Sequence, residues 1–260
     1  MSEAATPRLP SFRLDGRHAL VTGAGRGIGR ACAIALAEAG ATVTLLSRSE
    51  GELAHVAAEI EALGSSADLV VADVTDPHDV EQAVAAAAAH DGLWICVNNA
   101  GVNRTGPTVG LALDDWDLVQ DVNVRGTFLV TQAVARVLLD RGRGGRVINM
   151  SSQMGVVGFP GRAAYCAAKH AVNGLTKALA VEWAPLGITV NAVAPTFIQT
   201  PLTIPMLADE EFRAEVLGRI PMGRIGTVEE VMGAVVFLAS PAAALVTGQM
   251  LGVDGGWTAW

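Results

Sequence analysis

Tyr165 and Lys169 are the pair in this sequence with the plainest capacity for chemistry. They lie in a run with helical periodicity, and a spacing of four residues puts both side chains on one helix face. Tyr165 is the only tyrosine among 260 residues. A free phenol has a pKa of about 10 and is a poor base at neutral pH. A lysine ammonium beside it favours the phenolate. Lowering the pKa by about 3 units takes roughly 4 kcal/mol of differential stabilisation. One close cation in a partly dry site can supply a large share of that. Taken alone, the pair is better read as a helix pair with no chemistry, because Tyr and Lys four apart often occur by chance.

A second cluster has a different use. Thr22-Gly23-Ala24-Gly25-Arg26-Gly27-Ile28-Gly29 follows an apolar run and opens a helical pattern. Glycines there let the backbone turn sharply and approach a pyrophosphate, and the helix N-terminus favours the anion. The spacing G-x-G-x-x-G fails, because its last position would be Ile28. T-G-x-x-x-G-x-G fits, with Gly23, Gly27 and Gly29. A site for NAD usually carries an acid at the end of the second strand to hold the ribose 2′-hydroxyl. Here no acid occurs between Ala41 and Ser49, and that run ends in Ser47-Arg48. An arginine pairs with a 2′-phosphate through charge-assisted hydrogen bonds, and Arg26 offers a second cation. The sequence therefore favours NADP(H) over NAD(H), with Glu50 close enough to compete.

The elements that must hold these residues alternate along the chain. Short apolar runs occur at His18–Thr22, Thr42–Ser47, Leu69–Ala72, Leu93–Val97, Arg146–Met150, Ile188–Val193 and Met250–Val253. Most are rich in Val, Ile and Leu, the mark of strands covered on both faces. Helical patterns lie between them at Ile28–Ala39, Glu50–Leu63, Asp79–His90, Asp115–Leu139, Ala163–Ala184 and Val228–Leu238. The expected fold is α/β: a Rossmann-like, doubly wound parallel sheet of about seven strands with helices on both faces. One domain spans 1–260. The stretch 196–224 holds Pro201, Pro205 and Pro221 and breaks the alternation, so it is expected to form a small substrate lobe or lid.

Composition narrows the class. Hydrophobic residues make up 51% and charged residues 17%, enough for a large core, and the net charge is −8. That charge argues against a nucleic-acid or anionic-membrane partner. The three cysteines, Cys32, Cys96 and Cys166, show no paired spacing, and the five histidines are scattered, so no disulfide framework or metal site is expected. Met1–Phe12 does not read as a signal peptide, which points to the cytoplasm.

Several motifs in order make the chain resemble the short-chain dehydrogenase/reductase family over nearly its whole length. They are Thr22–Gly29, Asn98-Asn99-Ala100-Gly101, Asn123, Ser152, Tyr165-x-x-x-Lys169, and Asn191 with Pro195. The resemblance implies hydride transfer between nicotinamide C4 and a carbonyl or secondary alcohol, with Tyr165 as general acid or base. It implies that Ser152 (with Ser151 as rival) binds the substrate oxygen. Lys169 would hold the nicotinamide ribose and lower the tyrosine pKa, and Asn123 would hold a relay water. Asn99, Ala100 and Gly101 would pass beside the cofactor ribose, and Asp73 and Val74 would touch the adenine. Pro195, Ile198 and Thr200 would border the carboxamide. Arg104, Gln153 and Phe197 are candidates on the substrate side. Thr196 departs from the glycine that commonly follows the proline. The helix end Trp183-Ala184-Pro185-Leu186 lacks the basic residues expected for a carrier-protein substrate. Segment 195–205 and the ending Asp254-Gly-Gly-Trp257 look somewhat like sugar-acid or polyol dehydrogenases. The alternatives are a 3-oxoacyl-thioester reductase and a non-catalytic cofactor-binding sensor or scaffold. The resemblance also implies a homotetramer, with Trp257 and Trp260 as candidates for its interface.

Overall fold

The computed structural model describes residues 8–259. Its parallel sheet comprises β1 (His18–Thr22), β2 (Thr42–Ser47), β3 (Ala67–Val71), β4 (Leu93–Asn98), β5 (Gly145–Met150), β6 (Ile188–Pro195) and β7 (Met250–Val253). The order across the sheet is β3-β2-β1-β4-β5-β6-β7, and each neighbouring pair is parallel. The expected doubly wound sheet with helices on both faces is the fold that forms.

The helices are α1 (Gly27–Glu38), α2 (Glu50–Ala62), α3 (Pro77–Ala88), α4 (Leu113–Gln120), α5 (Thr127–Arg141), α6 (Ala163–Trp183), α7 (Ile204–Leu207), α8 (Glu210–Gly218) and α9 (Val228–Ala239). Side chains of α1, α2 and α9 fill one core layer. Those of α3, α5 and α6 fill another. Every residue of β1, β4, β5 and β6 is buried. That explains why these strands read as continuous apolar runs and not as alternating ones. No helix among the described residues is long and apolar enough to cross a membrane.

Two expectations needed correction. The third strand begins and ends earlier than the apolar run Leu69–Ala72, because β3 is an edge strand and pairing with β2 sets its limits (Val43 opposite Ala67). The single helix expected over Asp115–Leu139 is broken between α4 and α5 by a π-helical turn, Asp121–Gly126. Gly126 packs so closely on Val74 that a Cβ there would lie 2.8 Å from its Cγ2. The Asn123 side chain reaches back to the Val119 carbonyl at 2.8 Å, and the Thr127 hydroxyl takes the Asn123 carbonyl at 2.8 Å. Side-chain bonds thus replace part of the regular ladder, and such π turns recur at functional sites.

Segment 196–224 supplies α7 and α8. Asp209 caps α8 by accepting from the Phe212 amide at 2.9 Å. Beneath them Phe159, Phe197, Val216, Ile220 and Trp257 form a small separate core. Trp257 is therefore buried within its own chain, at 6% exposure, and is not free to fill a subunit interface. Trp260 lies outside the described residues.

Consecutive strands run away from each other in order at β1 and β4, the point where a doubly wound sheet opens a crevice at its carboxyl ends. The turn entering α1 is pressed into that crevice. A Cβ on Gly29 would sit 2.1 Å from the Gly23 carbonyl oxygen, whereas one on Gly51 would meet nothing within 4 Å. Gly29→Ala is expected to lower the melting temperature and weaken NADPH binding at least tenfold. Gly51→Ala, in the exposed first turn of α2, should raise stability by up to about 1 kcal/mol. Thermal melts and fluorescence titration check both.

Candidate active site

A cleft of ≈ 490 Å³ opens at the carboxyl ends of the strands. The glycine turn forms one wall. Gly23 and Gly27 adopt φ of 63° and 56°, a left-handed backbone that favours glycine. The turn is tied to β4 by its neighbours. The Thr22 hydroxyl accepts from the Asn99 and Ala100 amides, each at 3.0 Å. Asn99 Nδ2 donates to the Thr22 and Gly23 carbonyls at 3.1 and 3.2 Å. Asn98, one residue earlier, is a sheet fastener that donates to Thr131 at 2.7 Å and Asn149 at 2.9 Å.

Nearly all the expected cofactor residues meet in this one cleft. Arg26 and Ile28 lie on the turn wall; Ser47, Arg48, Asp73 and Val74 lie at the ends of the outer strands. Ala100 and Gly101 form the floor, and Pro195, Ile198 and Thr200 the far side. Gly29 is not a lining residue; its part is the close packing described above. Asn191, singled out in the sequence, ties β6 to the approach of β7, donating to the Val246 carbonyl at 2.8 Å.

Ser152, Tyr165, Lys169 and Asn123 line the same cleft. Lys169 is 4% exposed, and its Nζ donates to the Met150 carbonyl at 2.8 Å. Burial lowers its pKa to about 8. Burial also pushes the Tyr165 phenol up to about 12, while a hydrogen bond with Ser152 works the other way. Lys169 Nζ stands 5.4 Å from the Tyr165 ring centroid. Desolvation is the largest influence on both groups.

Ser152 is the serine that meets the phenol. Its hydroxyl donates to Gln153 Oε1 at 2.6 Å and accepts from the Met154 amide at 3.1 Å, so Gln153 orients it. Ser151 also lines the cleft, but its buried hydroxyl has no protein partner. Asn123 Nδ2 donates to the Val102 and Val119 carbonyls, both at 2.8 Å. Its Oδ1 is buried without a protein donor, an acceptor suited to a water. Arg104 lies outside the cleft wall, paired with Asp115 at 2.8 Å. Phe197 is buried in the aromatic core under α7 and α8.

Glu52 and Thr203 also line the cleft, and the sequence did not single them out. Glu52 lies 3.4 Å from Arg26, and a Cβ on Gly25 would come within 2.8 Å of it. Glu50 drew the eye by proximity in sequence, but the α2 helix turns Glu52 toward the site. Arg48 is paired with Asp73 at 3.5 Å. Thr203 was legible only as a turn residue. Its hydroxyl donates to the Ile198 carbonyl and its neighbour Thr200 offers an amide to it at 2.9 Å.

The histidines are less scattered than their sequence positions suggest. His18, Asp68 and His90 converge at the opposite end of the sheet. The two rings stack at 4.1 Å and 10°, and both His18 nitrogens face threonine hydroxyls, Thr42 at 2.7 Å and Thr44 at 2.8 Å. Stacked parallel rings cannot both aim an in-plane lone pair at one ion, so this cluster is not a metal chelate.

A family model described as "Enoyl-(Acyl carrier protein) reductase" matches residues 23–258. The chain belongs to the short-chain dehydrogenase/reductase family. It is an oxidoreductase of that family, acting on alcohol and ketone groups. It is 44% identical to gluconate 5-dehydrogenase of Gluconobacter oxydans, covering 95% of this chain and 96% of the relative. It is 42% identical to a 3-oxoacyl-[acyl-carrier-protein] reductase of Thermotoga maritima, covering 94% and 99%. A solved gluconate 5-dehydrogenase from Burkholderia cenocepacia, in complex with NADP and tartrate, superposes with a TM-score of 0.92 at 43% identity, covering 97% and 99%.

Lys169 gives a stability prediction. Its folded pKa of about 8 lies below the ordinary lysine value of 10.5. Holding the buried ammonium is therefore a cost present in full below pH 8 and relieved as pH rises towards 10.5. Lys169→Met should stabilise the ligand-free protein at pH 7, and the advantage should shrink between pH 8 and 10. Chemical denaturation at three pH values reads this out. A gap that widens with pH would sink it.

Proposed function

We propose that this oxidoreductase interconverts a secondary alcohol and a ketone on a sugar acid or polyol, with NADP(H) as its cofactor. The observation that carries the reading is the convergence of Ser152, Tyr165 and Lys169 with the glycine turn in one cleft. The dehydrogenase relatives act on gluconate, and the absence of basic residues after Trp183 weighs against a carrier-bound acyl chain.

The cleft suits a dinucleotide. Gly23 and Gly29 leave no room for a side chain where the turn meets β4, and the first amides of α1 would favour an anion. Lys169 would hold the ribose at the nicotinamide end, with Ile198 and Thr200 at the carboxamide. The cofactor supplies the hydride. In reduction Tyr165 gives its proton to the developing alkoxide while the Ser152 hydroxyl bonds the same oxygen, combining general-acid catalysis with charge stabilisation. The phenol carries the proton this step needs at neutral pH, and a positive charge brought close to it would make it the stronger acid. In oxidation the same oxygen takes the proton back. Asn123 Oδ1 would hold a water that passes protons between Lys169 and solvent.

NADP(H) is favoured by Arg48 and Arg26, each largely exposed and paired with a carboxylate only at 3.5 and 3.4 Å. Exposed pairs of this kind contribute little, so a 2′-phosphate can take over both cations. The structural relative from Burkholderia cenocepacia is in complex with NADP. The cytoplasm is the compartment we infer, since all three cysteines are free thiols.

Activity is tested with sugar acids, polyols and 3-oxoacyl thioesters under both cofactors. Tyr165→Phe should lose at least a thousandfold in kcat/KM while binding NADPH as the wild type does. Arg48→Asp should reverse the preference for NADPH over NADH. Faster turnover of 3-oxoacyl thioesters than of every sugar acid and polyol would overturn the substrate reading, and equal or better NADH binding by the wild type would overturn the cofactor reading.

A homotetramer is the assembly we infer, packed through α4, α5 and α6, where Trp116, Phe128 and Val181 expose apolar surface at 36%, 41% and 80%. Sedimentation should return a tetramer; a stable monomer would refute it.

A further inference from the structure

Gly25 occupies a position that the pattern of Gly23, Gly27 and Gly29 leaves open, and it does not share the left-handed backbone of Gly23 and Gly27. Backbone conformation therefore does not call for a glycine there. A close contact does. A Cβ on Gly25 would lie 2.8 Å from both Cβ and Oε2 of Glu52, and 3.3 Å from Ser47 Oγ. The missing side chain leaves room for the Glu52 carboxylate to lie against the glycine turn. Gly25, Ser47 and Glu52 all line the cleft, together with Arg26 and Arg48.

That carboxylate is loosely held. Among the described residues its one hydrogen-bond partner is Arg26, 3.4 Å away, and both side chains are exposed. Asp73, the other acid of the cleft, is fastened. Its Oδ1 accepts from the Thr75 amide at 2.9 Å and from the Thr75 hydroxyl at 2.8 Å, and its Oδ2 lies 3.5 Å from Arg48. Glu52 is thus the cleft acid that can change partners at little cost. Glu50 and Glu52 both stand in the first turn of α2, where an acid favours the helix dipole. That role is open to either residue and does not explain why Glu52 alone of the two lines the cleft.

On the NADP(H) reading, Arg26 and Arg48 receive the 2′-phosphate beside Ser47. Arg26 is paired with Glu52, and Ser47 borders Gly25 along with it. A negative oxygen of the protein therefore already stands among the groups that would bind the phosphate. A phosphate monoester carries close to two negative charges at neutral pH. To reach Arg26 it must part Glu52 from that guanidinium, and the two anions repel at this range even when solvated. The 2′-hydroxyl of NAD(H) meets the opposite situation. It is neutral, it can donate to a carboxylate, and it leaves the pair of Arg26 and Glu52 intact.

We propose that the Glu52 carboxylate is a resident competitor for the 2′-phosphate: it weakens NADP(H), accepts the 2′-hydroxyl of NAD(H), and so sets the margin between the two cofactors. The proposal deepens the NADP(H) reading and rests on it for which cofactor leads. Arg26 and Arg48 supply the preference, and Glu52 limits it. Removing the charge at Glu52 frees Arg26 for the phosphate and takes away the repulsion, so the variant discriminates more sharply than the wild type.

The test compares wild type, Glu52→Gln and Glu50→Gln by fluorescence titration with NADPH and with NADH. Thermal melts confirm that each keeps its fold. Glu50→Gln removes an acid from the same helical turn but outside the cleft, so it controls for net charge and for the helix dipole. In Glu52→Gln, NADPH should bind about fivefold tighter and NADH no tighter, which raises the preference for NADPH by at least that factor. Glu50→Gln should keep the wild-type preference. An unchanged or lower preference in Glu52→Gln, or an equal rise in Glu50→Gln, would overturn the competitor. A wild type that binds NADH as well as NADPH, with Glu52→Gln still shifted toward NADPH, would keep the competitor and overturn the NADP(H) reading. A wild type that prefers NADPH, with no shift in Glu52→Gln, would do the reverse.

Discussion

The site depends on one desolvated cation. Lys169 is held in the protein interior by a single backbone carbonyl, that of Met150 at the end of β5. Burying an ammonium this way is unfavourable for the ligand-free fold. It is tolerated because the sheet and α6 fix both partners: β5 is buried throughout, and α6 packs along its neighbour β6. The same strand end continues directly into Ser151 and Ser152. One strand terminus and one helix face thus place the lysine, the serine and the tyrosine together. The low dielectric that raises the phenol and lowers the ammonium also strengthens each interaction made there with a developing charge.

The cofactor side obeys a steric constraint of a different kind. The turn after β1 is pinned to β4 by Thr22 and Asn99, and its approach is so close that only hydrogen atoms fit at Gly23 and Gly29. At the rim, charges are balanced in pairs, Arg26 with Glu52 and Arg48 with Asp73. These are solvated and weak, unlike Lys169, so the rim can exchange partners while the interior cannot. On the proposed reading, cofactor choice falls to the adaptable rim and the chemistry to the rigid interior.

The sequence alone determined the parallel sheet, the position of the glycine turn and the Tyr165–Lys169 face. Strands buried on both faces write themselves as continuous apolar runs, and a four-residue helical spacing needs no tertiary knowledge. Arg48 and Arg26 were legible for the same reason, because they abut elements that the pattern already locates. The tertiary structure alone decided four matters. The π turn at Asp121–Gly126 arises from contacts with Val74 and Val102, which are distant in sequence. Glu52 reaches the cofactor cleft, and Glu50 does not, because of the way α2 is rotated on the sheet. Trp257 is buried by Phe159 and Phe197, not by a second subunit. The pKa shifts of Tyr165 and Lys169 follow from how much water the fold excludes. Local spacing fixes which side chains share a face; burial and charge balance depend on what the rest of the chain brings against that face.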